Sequence, residues 1–331
     1  MNQIKVSAPA RIDLSGGVID WCGMYTLALA INLRAYATLT KLDNPNLVQI
    51  AIDGIEDEYS EPDYDGKLDL FKAVIELSGI KGFRVEYKTD IPRGSGLGGS
   101  APLTVSTLLG LNQLFNKNWS IYYLTELAQR AESFKLHTVN GYQDQFSAAF
   151  GYLNYFDFRE KECQKGNYSK SVEEEPYSIV ENLTAYMPQL HIIVAVPEVI
   201  RSSSDETNGS VSERYLNGEK EIQALMIRLS KITQESKKCI VDGNLAKLYE
   251  IINENNEILR KFNFLSEKNE AIVNIAQANG ALAVKVCGAG RGGTAVFAEN
   301  EEHMDKLFNL LKPISNYIFK VKPDEGVKIE K

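Results

Sequence analysis

The stretch Pro92-Arg93-Gly94-Ser95-Gly96-Leu97-Gly98-Gly99-Ser100-Ala101 decides how this chain reads. It follows an alternating strand pattern, Phe83 to Tyr87, and precedes an apolar run of helical length, Leu103 to Phe115. Four glycines within the six positions 94 to 99 weaken either element, because each costs chain entropy on folding. They suit a backbone that passes close to a ligand and turns its N–H groups toward it. A strand, a glycine loop and a helix N-terminus together make an anion site, since free N–H groups and the helix dipole both favour phosphate. Ser100 falls in the first helical turn, where its hydroxyl can reach a phosphate oxygen or a metal ion. A tight strand-to-helix turn is the plainer alternative.

Two familiar phosphate loops do not fit. A Walker loop needs a Lys before the Ser, and Gly99 stands there. A protein-kinase glycine loop requires H-R-D and D-F-G further on, and neither tripeptide occurs.

The totals bound the rest. A chain of 331 residues, 44% hydrophobic and 24% charged, makes one large globular domain or two ordinary ones. A net charge of -8 argues against a general nucleic-acid binder. The cysteines Cys22, Cys163, Cys239 and Cys287 form no C-x-x-C, so neither disulfides nor a zinc site is expected, and a reducing cytoplasm is. No apolar run approaches the ~20 residues that span a bilayer. The expected partner is a small molecule, with no nucleic acid or membrane, for a monomer or homodimer.

Along the chain, Val6 to Leu14 reads as one strand, or two broken at Ala8-Pro9. Tyr36 to Leu42 and Val48 to Ile52 are strands, Glu56 to Asp65 a solvated acidic loop, and Leu68 to Leu77 a helix stopped by Gly79. Ser120 caps a helix over Ile121 to Phe134, with Leu124, Leu127, Ala128 and Ala131 on one face. Asp144, between Gln143 and Gln145, stands at a helix start and reads locally as a cap. Leu153 to Phe158 is a strand, and Arg159 to Pro176 an exposed charged connection. His191 to Val196 is a buried strand. Arg201 to Asp205 is a polar loop that could meet a phosphate. Two long helices follow, then a third over Ser266 to Asn279. Strands Ala281 to Cys287 and Thr294 to Ala298 flank a second glycine loop. A helix over His303 to Leu311 and a strand over Tyr317 to Val321 complete the pattern. The fold class is α+β, with domains over 1–160 and 161–331.

Gly288, Gly290 and Gly293 satisfy G-x-G-x-x-G, but a strand rather than a helix follows. A dinucleotide site needs the helix. A glycine hairpin packed against the first loop is the better expectation.

The first loop resembles the ATP loop of the GHMP kinases, P-x-x-x-G-L-G-S-S-A, departing at Gly99 where the family has Ser. Lys285 to Gly293 resembles the third motif, K-x-[ST]-G-A-G-x-G-G, and Ala8-Pro9-Ala10-Arg11-Ile12-Asp13-Leu14 the first. The resemblance implies an N-terminal α/β domain of the type in ribosomal protein S5 domain 2. A ferredoxin-like C-terminal domain would follow, with the site between the two. It implies ATP on Pro92, Gly94, Gly96, Leu97, Gly98, Gly99, Ser100 and Ala101, and Mg²⁺ on Ser100 and Glu132. Asp144 would be the group that orients or deprotonates the acceptor hydroxyl, with Arg11 beside it.

Asp20-Trp21 to Asn32 resembles the galactokinase stretch whose Asp binds sugar hydroxyls, but Gly17 and Val18 replace that subfamily's Glu-His pair. Arg11 to Gly17, and Gly141-Tyr142-Gln143-Asp144-Gln145-Phe146, are similar to fucokinases and heptose 7-phosphate kinases. Substrate contacts are therefore expected at Asp20, Gly16, Gly17, Tyr142, Gly288 and Gly290. The expected activity is an ATP-dependent sugar kinase acting at an anomeric hydroxyl. The alternatives are an isoprenoid-pathway kinase of the mevalonate type and a catalytically silent sugar sensor.

Overall fold

The computed structural model describes residues 2–161, 171–198, 204–288 and 290–331. Its strands are β1 (Gln3–Ser15), β2 (Tyr25–Lys41), β3 (Val48–Ile52), β4 (Ile55–Tyr59), β5 (Phe83–Thr89), β6 (Leu153–Asp157), β7 (Ile179–Asn182), β8 (His191–Val196), β9 (Ala283–Val286), β10 (Thr294–Ala298), β11 (Tyr317–Val321) and β12 (Lys328–Ile329). Its helices are α1 (Asp69–Ser78), α2 (Ser100–Leu114), α3 (Ile121–Arg130), α4 (Gln143–Phe150), α5 (Ser204–Leu216), α6 (Lys220–Val241), α7 (Leu245–Lys261), α8 (Glu267–Ala278) and α9 (Glu301–Leu311).

The larger sheet runs β12-β1-β2-β5-β3-β4, with β6 paired to β2 and β7 to β6. β1 does not break at Ala8-Pro9; register shifts after Pro9 and Asp13 absorb the proline and keep one strand. β2 is long enough to serve two neighbours, β6 along its first half and β5 along its second. β5 delivers the chain to the glycine loop, and α2 leaves it. α2 is apolar nearly all round and is buried against β1 and β2.

The smaller sheet is antiparallel, ordered β11-β8-β10-β9. Helices lead from β8 to β9, β9 turns directly into β10, and α9 returns to β11, a ferredoxin-like order. The second glycine loop is the β9–β10 hairpin, so the dinucleotide fingerprint lacks its helix. α7 covers the free edge of β9. Asn253 and Asn256 accept from the N–H groups of Val284 and Val286, each at 3.0 Å.

Three expectations are corrected. The acidic segment is not all loop, because residues 55–59 form β4. It is not simply solvated, because buried Lys72 gathers Asp57 (2.8 Å), Asp63 (3.3 Å) and Asp65 (3.4 Å). The connection after Phe158 is not wholly exposed. Lys161 and Glu175 are buried and pair with Glu126 (2.6 Å) and Arg130 (2.5 Å), which makes their burial tolerable. The helix starting at Ile121 stops at Arg130 and widens into a π turn over Ala131–Lys135. Of the polar loop, Arg201 to Ser203 lie outside the described residues, and Ser204 opens α5.

The tail returns to the larger sheet. Buried Arg34 holds Asp324 at 2.8 Å, the Glu325 and Gly326 carbonyls at 3.0 Å, and Ser7. The N–H of Val327 reaches the carbonyl of Ala149 at the end of α4.

Candidate active site

The first glycine loop is shaped by left-handed residues. Gly94, Gly96 and Gly98 have φ of 70°, 69° and 70°. Gly99 does not share this need. It caps α2 at φ −64°, so the place where the family has Ser lies in backbone that any residue adopts. No side chain caps α2, which leaves its first N–H groups facing the loop. Pro92 is half-buried before the loop, and Leu97 and Ala101 are buried behind it.

The second loop seals the first. The N–H of Gly293 donates to the Ser95 carbonyl at 2.5 Å, and that of Arg11 to the Leu97 carbonyl at 3.2 Å. A Cβ on Gly288 would lie 2.7 Å from the Gly96 carbonyl oxygen, so only glycine allows this approach.

Arg11 lies at the centre. Its Nε and Nη2 reach Asp144 Oδ1 at 2.8 and 2.7 Å, and its Nη1 donates to the Gly96 carbonyl at 2.7 Å. Burial opposes its charge, but Asp144 and Asp13 outweigh burial and hold its pKa above the ordinary value. Asp144 itself is half-buried, and its Oδ2 would lie 3.0 Å from a Cβ on Gly98. An arginine-held carboxylate therefore stands directly against the phosphate-type loop.

Behind Arg11, Asp13 is buried in an ion pair with Lys285 and accepts from the Gly288 N–H at 2.9 Å. Burial favours its neutral form, but Lys285, then Arg11, outweigh burial and keep its pKa below the carboxylate norm. Neither residue had been assigned a role from sequence. The available signal was a charge set between large apolar residues, Ile12-Asp13-Leu14 and Val284-Lys285-Val286. Such charges inside buried strands need partners. The neighbouring Cys287 thiol is pushed up to about 12 by burial and by Asp13, so it is no nucleophile.

Ser100 Oγ donates to Glu132 Oε1 at 3.2 Å across the mouth of the loop. Glu132 sits on the π turn, and Thr138 holds its carbonyl (2.9 Å from Oγ1) while Asn140 holds its carboxyl. A single widened turn is a recurrent way to re-aim a functional side chain. Burial, then the charge of Asp144, pushes the Glu132 carboxyl up to about 7. Among the described residues no three His, Cys, Asp or Glu side chains cluster as a metal cage. One hydroxyl and one carboxylate still fit Mg²⁺, which usually takes one or two protein oxygens and completes its shell from phosphate and water.

Asp20 is buried beside α4, accepting from the Trp21 and Gln143 N–H groups at 3.0 and 2.9 Å. It thus caps α4, the helix that carries Asp144. Gly141 leaves it room, since a Cβ there would overlap its carboxyl at 1.9 Å. Burial pushes Asp20 up to about 7, with Asp144 adding to the shift. Gly16 donates to Asn255 at 2.9 Å, and Gly17 lies against Asp13. Tyr142 is fully buried, stacked on Phe158, with its hydroxyl 3.3 Å from Arg130. Gly290 packs on Phe264. Of the expected residues, Gly96, Gly98 and Gly288 lie against Arg11 or Asp144 and Asp20 lies at the start of α4, whereas Gly16 and Gly290 contact Asn255 and Phe264.

Comparison with known proteins agrees with this picture. Family models match at residues 67–152, described as the GHMP kinases N terminal domain, and at 236–311, described as GHMP kinases C terminal. A D-glycero-alpha-D-manno-heptose 7-phosphate kinase of Campylobacter jejuni is 27% identical over 95% of this chain and 94% of its own. A mevalonate kinase of Thermococcus onnurineus is 23% identical, covering 99% and 98%. The crystal structure of Lactococcus lactis galactokinase complexed with galactose superposes with a TM-score of 0.78 at 19% identity, covering 98% and 95%. Both matched models are domains of kinases, so the chain is a phosphotransferase. With both domain models matched in order, the chain belongs to the GHMP kinases.

Proposed function

We propose that this kinase transfers the γ-phosphoryl group of ATP to a sugar hydroxyl, the anomeric one, with Mg²⁺ on Ser100 and Glu132. The observation that carries the proposal is the Arg11–Asp144 pair set against Gly98. Phosphoryl transfer asks for positioning and charge neutralisation more than for covalent chemistry. The backbone from Gly94 to Ala101 holds the phosphates. Asp144 accepts the proton of the acceptor hydroxyl as its oxygen attacks phosphorus. Arg11 holds the Asp144 carboxyl in place through Nε and Nη2 and adds positive charge where the transferred group passes. Bound Mg²⁺ would neutralise phosphate charge. Asp20, buried beside α4, offers a carboxyl acceptor to sugar hydroxyls.

The likeness to mevalonate kinases supports a second acceptor class. The sequence resemblance favours sugar, because Asp20 to Asn32 resembles galactokinases and Arg11 to Gly17 resembles fucokinases and heptose 7-phosphate kinases. Retention of Ser100, Glu132, Asp144 and Arg11 together speaks against a silent sensor. ATP consumption measured against free hexoses, heptose phosphates, uronic acids and mevalonate tests the proposal. Turnover with a sugar is expected. Rapid turnover of mevalonate with no sugar response would overturn it.

A further inference from the structure

Among the described residues, eight arginines pair with carboxylates: Arg11 with Asp144, Arg34 with Asp324, Arg84 with Glu86, Arg130 with Glu175, Arg159 with Asp157, Arg214 with Glu219, Arg228 with Glu254 and Arg260 with Glu270. The guanidinium groups of the other two described arginines, Arg93 and Arg291, have no hydrogen bond or ion pair among the described residues, and the two residues fall on the two glycine loops. Each stands two residues from the 2.5 Å hydrogen bond, Gly293 N–H to Ser95 carbonyl, that joins those loops.

A second observation concerns Arg291 alone. Its φ is 58°, left-handed backbone that glycine adopts freely and arginine does not. Glycines surround it at 290, 292 and 293, so a strained arginine has been kept where the unstrained residue is abundant. Arg291 is half-buried as a residue, and Arg93 is exposed. In a chain of net charge -8, with carboxylates on its other described arginines, two unneutralised guanidinium groups at one seam are an exception.

We propose that Arg93 and Arg291 form a second phosphate-binding site at the seam of the two glycine loops, beside the backbone cradle. Planar guanidinium groups grip phosphate oxygens in pairs, which suits a phosphate monoester or the end of a diphosphate. The phosphate has two possible sources. It belongs either to the nucleotide or to an acceptor sugar that arrives already phosphorylated. The inference rests on the kinase proposed above only for naming those sources.

The test compares the parent protein with Arg93→Ala, Arg291→Gly and the double variant by calorimetry. The probes are ADP and a panel of hexose and heptose monophosphates. Arg291→Gly relieves the backbone, so its melting temperature is expected to hold or rise, and lost binding cannot be put down to unfolding. At least a tenfold loss of affinity in the double variant is expected for one probe class. Loss for ADP names the nucleotide as the source, and loss for a sugar phosphate names the acceptor. Unchanged ADP affinity, with no sugar phosphate distinguishing the double variant from the parent, overturns the site. Binding is read without turnover, so a parent that phosphorylates no sugar but loses ADP affinity in the double variant removes the sugar proposal and keeps this one.

Discussion

Lys285 on β9 and Asp13 on β1 form a fully buried ion pair that bolts the smaller sheet to the larger one directly behind Arg11. Breaking a buried pair from one side strands a charge, which typically costs about 3–5 kcal/mol, whereas neutralising both sides costs far less. Lys285→Met should therefore lower the melting temperature more than the double variant Asp13→Asn/Lys285→Met does. Thermal unfolding of both settles it; equal losses would mean the pair carries no coupling.

Asp144→Asn should keep the hydrogen bonds to Arg11 and remove the proton acceptor. Turnover should fall by roughly 10²–10⁴-fold, the usual range for a general base, with ATP affinity nearly unchanged. A fully active variant would return Asp144 to a helix-start role.

The two adjacent glycines should respond oppositely to one added side chain. Gly98→Ser meets left-handed backbone and the Asp144 carboxylate at 3.0 Å, whereas Gly99→Ser enters ordinary helical backbone. Nucleotide affinity, read by ADP calorimetry, should fall at least tenfold in the first and stay within about threefold in the second. Equal effects would contradict the loop geometry.

Asp20 makes stability depend on pH. Its folded-state value of about 7 lies above the unfolded value of about 3.9, so the folded protein binds more protons between these limits. Stability of the ligand-free protein should thus fall as pH rises from about 4 to 7. Asp20→Asn removes the titration and should flatten that part of a melting-temperature profile. An unchanged slope would show that Asp20 is already ionised when folded. With a sugar acceptor in hand, Asp20→Ala should also weaken apparent sugar affinity by one to two powers of ten, as expected from losing charge-assisted bonds of ~1.5–3 kcal/mol.

Much of the fold was legible because its signals are local. The apolar runs at His191–Val196, Thr294–Ala298 and Tyr317–Val321, and the alternation at Val48–Ile52, became strands at those bounds. The glycine loop was legible because only a demanding backbone tolerates so many glycines. What stayed hidden depends on contacts distant in sequence. β12 is two residues long and exists because Val6 and Ser7 await it, and β7 exists because β6 does. The π turn cannot be read from helical spacing, since Thr138 and Asn140 pull Glu132 out of register from beyond the helix. Asp20 read as a sugar ligand, and the structure also makes it an α4 cap from 123 residues away.

The pairing of β1 with β12 also sets an order of events. Val6 meets Ile329 and Ser7 meets Lys328, so β1 gains its outer neighbour from residues made about 320 positions later (329 less 6 and 328 less 7). At translation rates of ~5–20 residues per second the interval is on the order of tens of seconds. Throughout it, one edge of β1 lacks its partner, and the Arg34 guanidinium has Ser7 but not Asp324, Glu325 and Gly326. A nascent sheet edge open that long invites pairing with other chains. Closure of the larger sheet at its β1 edge therefore waits for β12, a delay that follows from where those few residues dock.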